Sequence, residues 1–119
     1  MTRHSIAIKR AYEPPGDDDG RRVLVDRLWP RGVANADARL TLWLKEVAPS
    51  STLRRWFGHD PARWAEFARR YRAELERNGE AVARLRDMAA AGKLTLVYGA
   101  RDPVHNQAAA LKDYLDEAG

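Results

Sequence analysis

The chain has 119 residues, 45% hydrophobic and 32% charged, with a net charge of +4. That length supports one core and not two, and the composition is globular, so a single domain over residues 1–119 is expected. Cysteine is absent, which excludes disulfides, a thiol nucleophile and any Cys-ligated zinc or iron–sulfur centre. The start of the chain, Met1 to Arg10, carries charges on both sides of a three-residue apolar run and does not read as a signal peptide. No stretch approaches the roughly 18 apolar residues of a membrane span. A cytoplasmic domain is the expectation.

Ile6-Ala-Ile8 and Val23-Leu-Val25 read as strands, apolar on successive residues and so covered on both faces of a parallel or mixed sheet. Between them Glu13 to Gly20 is an acidic, turn-rich surface loop with no helix signal. Leu40, Trp43, Leu44 and Val47 fall at helical spacing after Asn35 or Asp37 as N-cap, and Pro49 ends that helix. Ser50 or Ser51 caps a short helix holding Leu53, Trp56 and Phe57, closed by Gly58. Asp60-Pro61 opens the next, with Trp64, Phe67, Tyr71 and Leu75 as its apolar stripe. After the break at Asn78-Gly79, Val82, Leu85, Met88 and Ala89 form a further helix, stopped by Gly92. Leu94 to Tyr98 is the third strand, and Asp102-Pro103 begins the last helix, with Val104, Ala108, Leu111 and Leu115. The predicted fold is a small α/β sandwich: a short, mainly parallel three-stranded sheet flanked by about five helices.

The positive charge is spread. Its richest segment, 61–93, interleaves arginine with glutamate as a solvated helix does, whereas a nucleic-acid binder concentrates its excess on one element. The informative charges follow the strands. Lys9-Arg10 follows the first, Asp26-Arg27 with Trp29-Pro-Arg31-Gly32 the second, and Arg101 to Asn106 the third. If the strands are parallel, these clusters share the carboxyl edge, where open α/β sheets bind ligands.

Asp26 and Arg27 are neighbours on an extended segment and are expected on opposite faces. A carboxylate at the end of an apolar strand is costly unless paired or functional. A salt bridge to Lys9, Arg10 or Arg31 and a catalytic or ligand-orienting role are both open. Trp29-Pro30 stiffens the approach to Arg31, Gly32 permits a sharp turn, and a guanidinium beside an aromatic face suits phosphate or carboxylate. His105, in the expected first turn of the last helix, is an acid/base candidate beside free backbone N–H groups. Asp102 reads as that helix's N-cap, and Asp60 is claimed by a cap, which leaves His59 outlying. Neither HxxxH nor HExxH is present, nor the glycine-rich phosphate and dinucleotide motifs, nor a nucleophile elbow; no metal or cofactor is expected.

Lys9-Arg10-Ala-Tyr12, Val23-Leu-Val-Asp-Arg-Leu-Trp-Pro-Arg-Gly32, Trp43-Leu-Lys-Glu-Val-Ala-Pro-Ser50, Leu53-Arg-Arg-Trp-Phe-Gly-His59 and His105-Asn-Gln-Ala108 together resemble the YeaO-like branch of domain-of-unknown-function family 488. The resemblance covers nearly the whole chain. It implies a compact bacterial or archaeal α/β domain and carries no activity with it. Lys9, Arg10, Asp26, Arg27, Arg31, Lys45, His59, His105 and Asn106 all lie within the shared segments. Members of the wider family resemble one another in a Cys-His-Arg where this chain has Val104-His105-Asn106, so thiol or cysteine–metal chemistry does not transfer.

The leading expectation is a pocket for a small phosphate- or carboxylate-bearing molecule. Asp26 and His105 form its candidate catalytic pair, and Lys9, Arg10, Arg27, Trp29, Arg31, Lys45, His59 and Asn106 its binding residues. Any catalysis would be cysteine-independent hydrolysis or group transfer. It requires Lys9, Arg10, Asp26, Arg31 and His105 to converge in one cleft. The rival is a non-enzymatic nucleic-acid or nucleotide-binding module using Arg69, Arg70, Arg72 and Arg77; a wholly structural arginine–aspartate set is the third reading.

Overall fold

Every residue of Leu94–Tyr98 is buried, because this strand lies inside a four-stranded, wholly parallel sheet. The computed structural model describes residues 5–117. In chain order the elements are β1 (Ile6–Arg10), β2 (Arg21–Leu24), α1 (Asn35–Ala38), β3 (Leu42–Trp43), α2 (Ser51–Phe57), α3 (Trp64–Glu76), α4 (Gly79–Ala91), β4 (Leu94–Tyr98) and α5 (Gln107–Glu117). Single 3-10 turns occupy Asp17–Asp19, Lys45–Val47 and Pro61–Arg63. The strand order is β1-β4-β2-β3, with Ile6 opposite Leu94, Arg21 opposite Leu94 and Val23 opposite Leu42. The charged first residues, 1–4, on which the leader reading partly rests, lie outside the described residues.

Alternation along the strands divides the interior. Ile6, Val23, Val25, Leu94, Leu96 and Tyr98 join the main core, packed against Leu53 and Phe57 of α2, Phe67, Tyr71 and Leu75 of α3, Val82 and Leu85 of α4, and Leu111 and Leu115 of α5. Leu24 and Val97 face the other way with Ala11, under Trp29, Val33, Leu40 and Trp43. The second face is therefore covered by the loop from β2 to β3, not by long helices.

The sheet has a fourth strand that the helical spacing of Leu40, Trp43, Leu44 and Val47 conceals. Leu42 and Trp43 pair with Val23 and Leu24, and Leu44 N–H donates to the Leu24 carbonyl at 2.9 Å. Edge pairing overrides a four-residue apolar match, and of the predicted span only Asn35–Ala38 and the Lys45–Val47 turn are helical. The helices on either side follow their caps. The Ser50 hydroxyl accepts from Leu53 N–H at 3.2 Å, Gly58 closes α2 at φ 55°, and Asp60 accepts from Ala62 N–H at 3.0 Å ahead of Pro61. The last helix starts later than Asp102-Pro103 predicts. Asn106, buried, accepts from Ala109 N–H at 2.8 Å and is the effective cap of α5, while Asp102 closes a turn onto the N–H groups of Val104 and His105. His105 thus precedes the helix instead of lying in its first turn.

The acidic loop before β2 is not wholly solvent-facing. Asp19 is buried and accepts from Arg22 at 2.6 Å, Lys9 at 3.2 Å and Gly16 N–H at 2.9 Å. Among the described residues, no helix is long and apolar enough to cross a membrane.

Candidate functional site

Because the four strands are parallel, the segments after β2 and β4 meet at one edge of the sheet, and the end of α2 and the start of α5 close over them. Two hollows adjoin there. The first, about 250 Å³, is lined by Arg54, Arg55, Phe57, His59, Phe67, His105, Asn106 and Gln107, with Pro49 and Ser51. The second, about 230 Å³, is lined by Asp26, Arg27, Leu28, Ala48, Gly99 and Ala100. Pro49, Arg54, His59 and Gln107 border both, so the hollows form one cleft.

Asp26 stands in its wall. Its carboxylate accepts from Gly99 N–H at 2.8 Å and from the Gln107 side-chain amide. Burial pushes its carboxyl up to about 6 despite the opposing pull of the Gly99 N–H and the nearby Arg54 charge. None of Lys9, Arg10 and Arg31 forms the ion pair that the sequence leaves open for it. Arg27 lines the same hollow as Asp26, not the opposite face, because the strand pairing and its alternation stop after Val25. Arg27 Nη2 donates to the carbonyls of Ala48 and Pro49, both at 3.3 Å, and its Nε is buried without a hydrogen-bond partner.

His59 is held at φ 56°, in the left-handed region, directly after Gly58 at φ 55°. Two consecutive left-handed residues reverse the chain between α2 and the Pro61 turn and set the imidazole at the junction of the hollows. His105 Nδ1 lies 2.8 Å from Asp102 Oδ2, and its ring meets Trp64 edge-on with centroids 5.5 Å apart. The N–H groups of His105 and Val104, together with the imidazole, hold the Asp102 carboxyl down at about 2. Asn106 lines the cleft but spends its side chain on the Asp102 carbonyl and the α5 cap.

The five-residue convergence expected from the sequence does not form. Asp26 and His105 reach the cleft; Lys9, Arg10 and Arg31 do not line it. Lys9 pairs with Asp19 at 3.2 Å. Arg10 donates from Nε to the Ala100 carbonyl at 2.8 Å and lies over the Tyr12 ring, so it props a wall of the cleft from behind. Arg31 is exposed after Pro30, beside Gly32 at φ 81°, and contributes its carbonyl to the Tyr12 hydroxyl. Trp29 donates to the Val33 carbonyl and packs edge-on against Trp43; Lys45 lies 4.9 Å over the Trp43 ring. Trp29 and Lys45 thus serve the second core.

Arg54, Arg55 and Gln107 are the cleft residues that sequence reasoning misses. Arg54 makes no side-chain hydrogen bond or ion pair among the described residues, and it borders both hollows. Its only signal in the sequence is its place within the segment Leu53 to His59. Among the described residues no group of three or more histidines and carboxylates is placed to hold a metal ion.

Comparison with known proteins matches residues 5–119 to a family model described as the inactive DUF488-N3 subclade. Uncharacterised proteins of Mycobacterium tuberculosis (strain H37Rv) and Mycobacterium bovis are each 42% identical over 111 residues, covering 93% of this chain and 93% of theirs. The uncharacterised protein YeaO of Escherichia coli K12 is 42% identical, covering 93% of this chain and 96% of its own. No solved structure matches the chain significantly. The family match and the extent of these identities give one conclusion: the chain belongs to the DUF488-N3 family, in the subclade described as inactive.

Proposed function

We propose that this protein binds a small phosphate- or carboxylate-bearing molecule in the cleft at the carboxyl edge of its sheet, without turning it over. The observation that carries this reading is Arg54, a guanidinium at the junction of both hollows that makes no side-chain hydrogen bond or ion pair among the described residues, flanked by Arg55, His59 and Gln107. Guanidinium groups match the oxygens of phosphate and carboxylate in a bidentate fork, and the amide and imidazoles add donors. The description of the subclade as inactive supports binding over hydrolysis or group transfer.

The nucleic-acid reading finds less support. Arg69 and Arg70 both donate to Glu66 of the same helix and Arg72 pairs with Glu117 of α5, so three of the four arginines of that reading are engaged by carboxylates.

Thermal unfolding in the presence of inorganic phosphate and of short carboxylates tests the proposal. The expected result is a saturable rise in Tm that Arg54→Ala removes and Arg31→Ala leaves intact. No rise with any anion, or a rise that survives Arg54→Ala, overturns it. Salt-sensitive retention on DNA or RNA that Arg70→Ala weakens would favour the rival.

A further inference from the structure

The cleft is chemically two-sided. One hollow carries the cations Arg54 and Arg55 with two imidazoles, and the other has the Asp26 carboxylate in its wall. Among the described residues no cation stands within ion-pair distance of Asp26. Arg27 spends Nη2 on two backbone carbonyls, and Arg54 acts on Asp26 through its field without a hydrogen bond.

The Asp26 oxygens accept one donor each, from Gly99 N–H and the Gln107 amide. A carboxylate oxygen has two acceptor directions, so capacity for a further donor remains. A half-buried carboxylate with no cation paired to it is costly, and a ligand ammonium meets the need. Arg54, His59 and Gln107 border both hollows, so one small molecule can reach the cationic side and Asp26 together.

We propose that the cleft takes a zwitterion, its carboxylate or phosphate beside Arg54 and His59 and its protonated amine against Asp26. The inference rests on the anion-site reading above and adds the ligand class. A carboxyl raised to about 6 is ionised at pH 7.5, where aliphatic amines are protonated, so both charges of the pair are present.

The test uses probes that differ only in the amine. Amino acids from glycine to 5-aminopentanoate are compared with acetate to pentanoate, and phosphoethanolamine with ethyl phosphate, by calorimetric titration of the intact chain at pH 7.5. At least one amine-bearing probe is expected to bind roughly tenfold tighter than its partner, the worth of one charge-assisted hydrogen bond. Asp26→Asn should erase that preference while retaining affinity for the amine-free member. Equal affinities in the wild type overturn the zwitterion and leave the anion site standing. Binding of neither member overturns both readings. An amine preference that survives Asp26→Asn overturns the assignment to Asp26. The wild-type comparison needs no variant, so a misfolded Asp26→Asn does not remove the test.

Discussion

Gly99 brings its N–H to 2.8 Å from Asp26 Oδ2, and a Cβ added to Gly99 would stand 3.0 Å from that same oxygen. The residue that follows β4 is therefore small because a carboxylate occupies the adjoining space. Gly99→Ala forces Asp26 back against Gln107, which already donates to its other oxygen. The expected cost is about 1–2 kcal/mol, typical of added volume at a close contact, together with a weaker preference for amine-bearing probes. Denaturant unfolding and calorimetric titration check the two effects. A variant as stable as the wild type, with unaltered probe selectivity, would mean that Asp26 moves freely.

The raised Asp26 carboxyl has a definite pH signature. Unfolded, it titrates near its ordinary value of 3.8; folded, it titrates at about 6 because burial disfavours the charge. Between these values the folded chain holds the extra proton. Stability from this group is therefore greatest at low pH, falls as pH rises through the window from 4 to 6, and stays reduced above it. Asp26→Asn lacks this titration, so the stability of the variant relative to the wild type should rise by roughly 2 kcal/mol between pH 4 and pH 7. Asp102 works in the other direction. Held at about 2 by the N–H groups of His105 and Val104 and the imidazole, it contributes above pH 4 and loses that contribution as pH falls toward 2. The two windows are separate. Urea melts at unit pH steps distinguish them, and a variant-to-wild-type difference that is flat across pH 4–7 contradicts the Asp26 assignment.

What the sequence discloses of this site is what strand ends disclose. Val23-Leu-Val25 and Leu94 to Tyr98 are apolar enough to be buried strands, and in a parallel sheet the polar residues after each must share an edge; Asp26, Arg27 and His105 follow from that. Arg54 and Gln107 do not. Each sits on a helix beside ordinary apolar neighbours, and only the tertiary docking of α2 and α5 over the sheet turns them toward the cleft. Lys9 misleads for the complementary reason. It alternates onto the face opposite Ile8 and meets the buried Asp19, a partner hidden in a segment that reads as solvent loop. β3 is hidden because two residues of edge pairing leave no periodicity of their own.

His59 bears a backbone cost at the cleft. A non-glycine residue at φ 56° crowds Cβ against its own peptide, a strain of order 1 kcal/mol that glycine does not carry. His59→Gly should therefore be about 1 kcal/mol more stable than His59→Ala, while both lose the imidazole from the junction of the hollows. Both should show a diminished anion-induced rise in Tm. Equal stability of the two variants would mean that the left-handed conformation relaxes when histidine is removed. An undiminished anion response would take His59 out of the binding site.

Asp19 anchors the far side of the sheet from the cleft, and its removal should be felt as an orphaned charge. Arg22 is only 4% exposed; it donates to Asp19 at 2.6 Å and to the Ala38 carbonyl at 3.0 Å, and its Nη2 already lacks a partner. Burial pushes the Asp19 carboxyl up, but the Gly16 N–H, Lys9 and Arg22 outweigh it and hold the group below its ordinary range. Asp19→Ala leaves the Arg22 guanidinium buried without its counter-charge, and such losses cost about 3–5 kcal/mol. Replacing both partners should cost less, since a methionine at position 22 fills the volume without a charge to desolvate. Asp19→Ala/Arg22→Met is therefore expected to be more stable than Asp19→Ala alone, by roughly 1–3 kcal/mol. Urea denaturation of Asp19→Ala, Arg22→Met and the double variant, against the wild type, measures this coupling. If the double variant is no better than the single, the Asp19 carboxylate acts through its bonds to Gly16 N–H and Lys9 and not through the buried Arg22 charge.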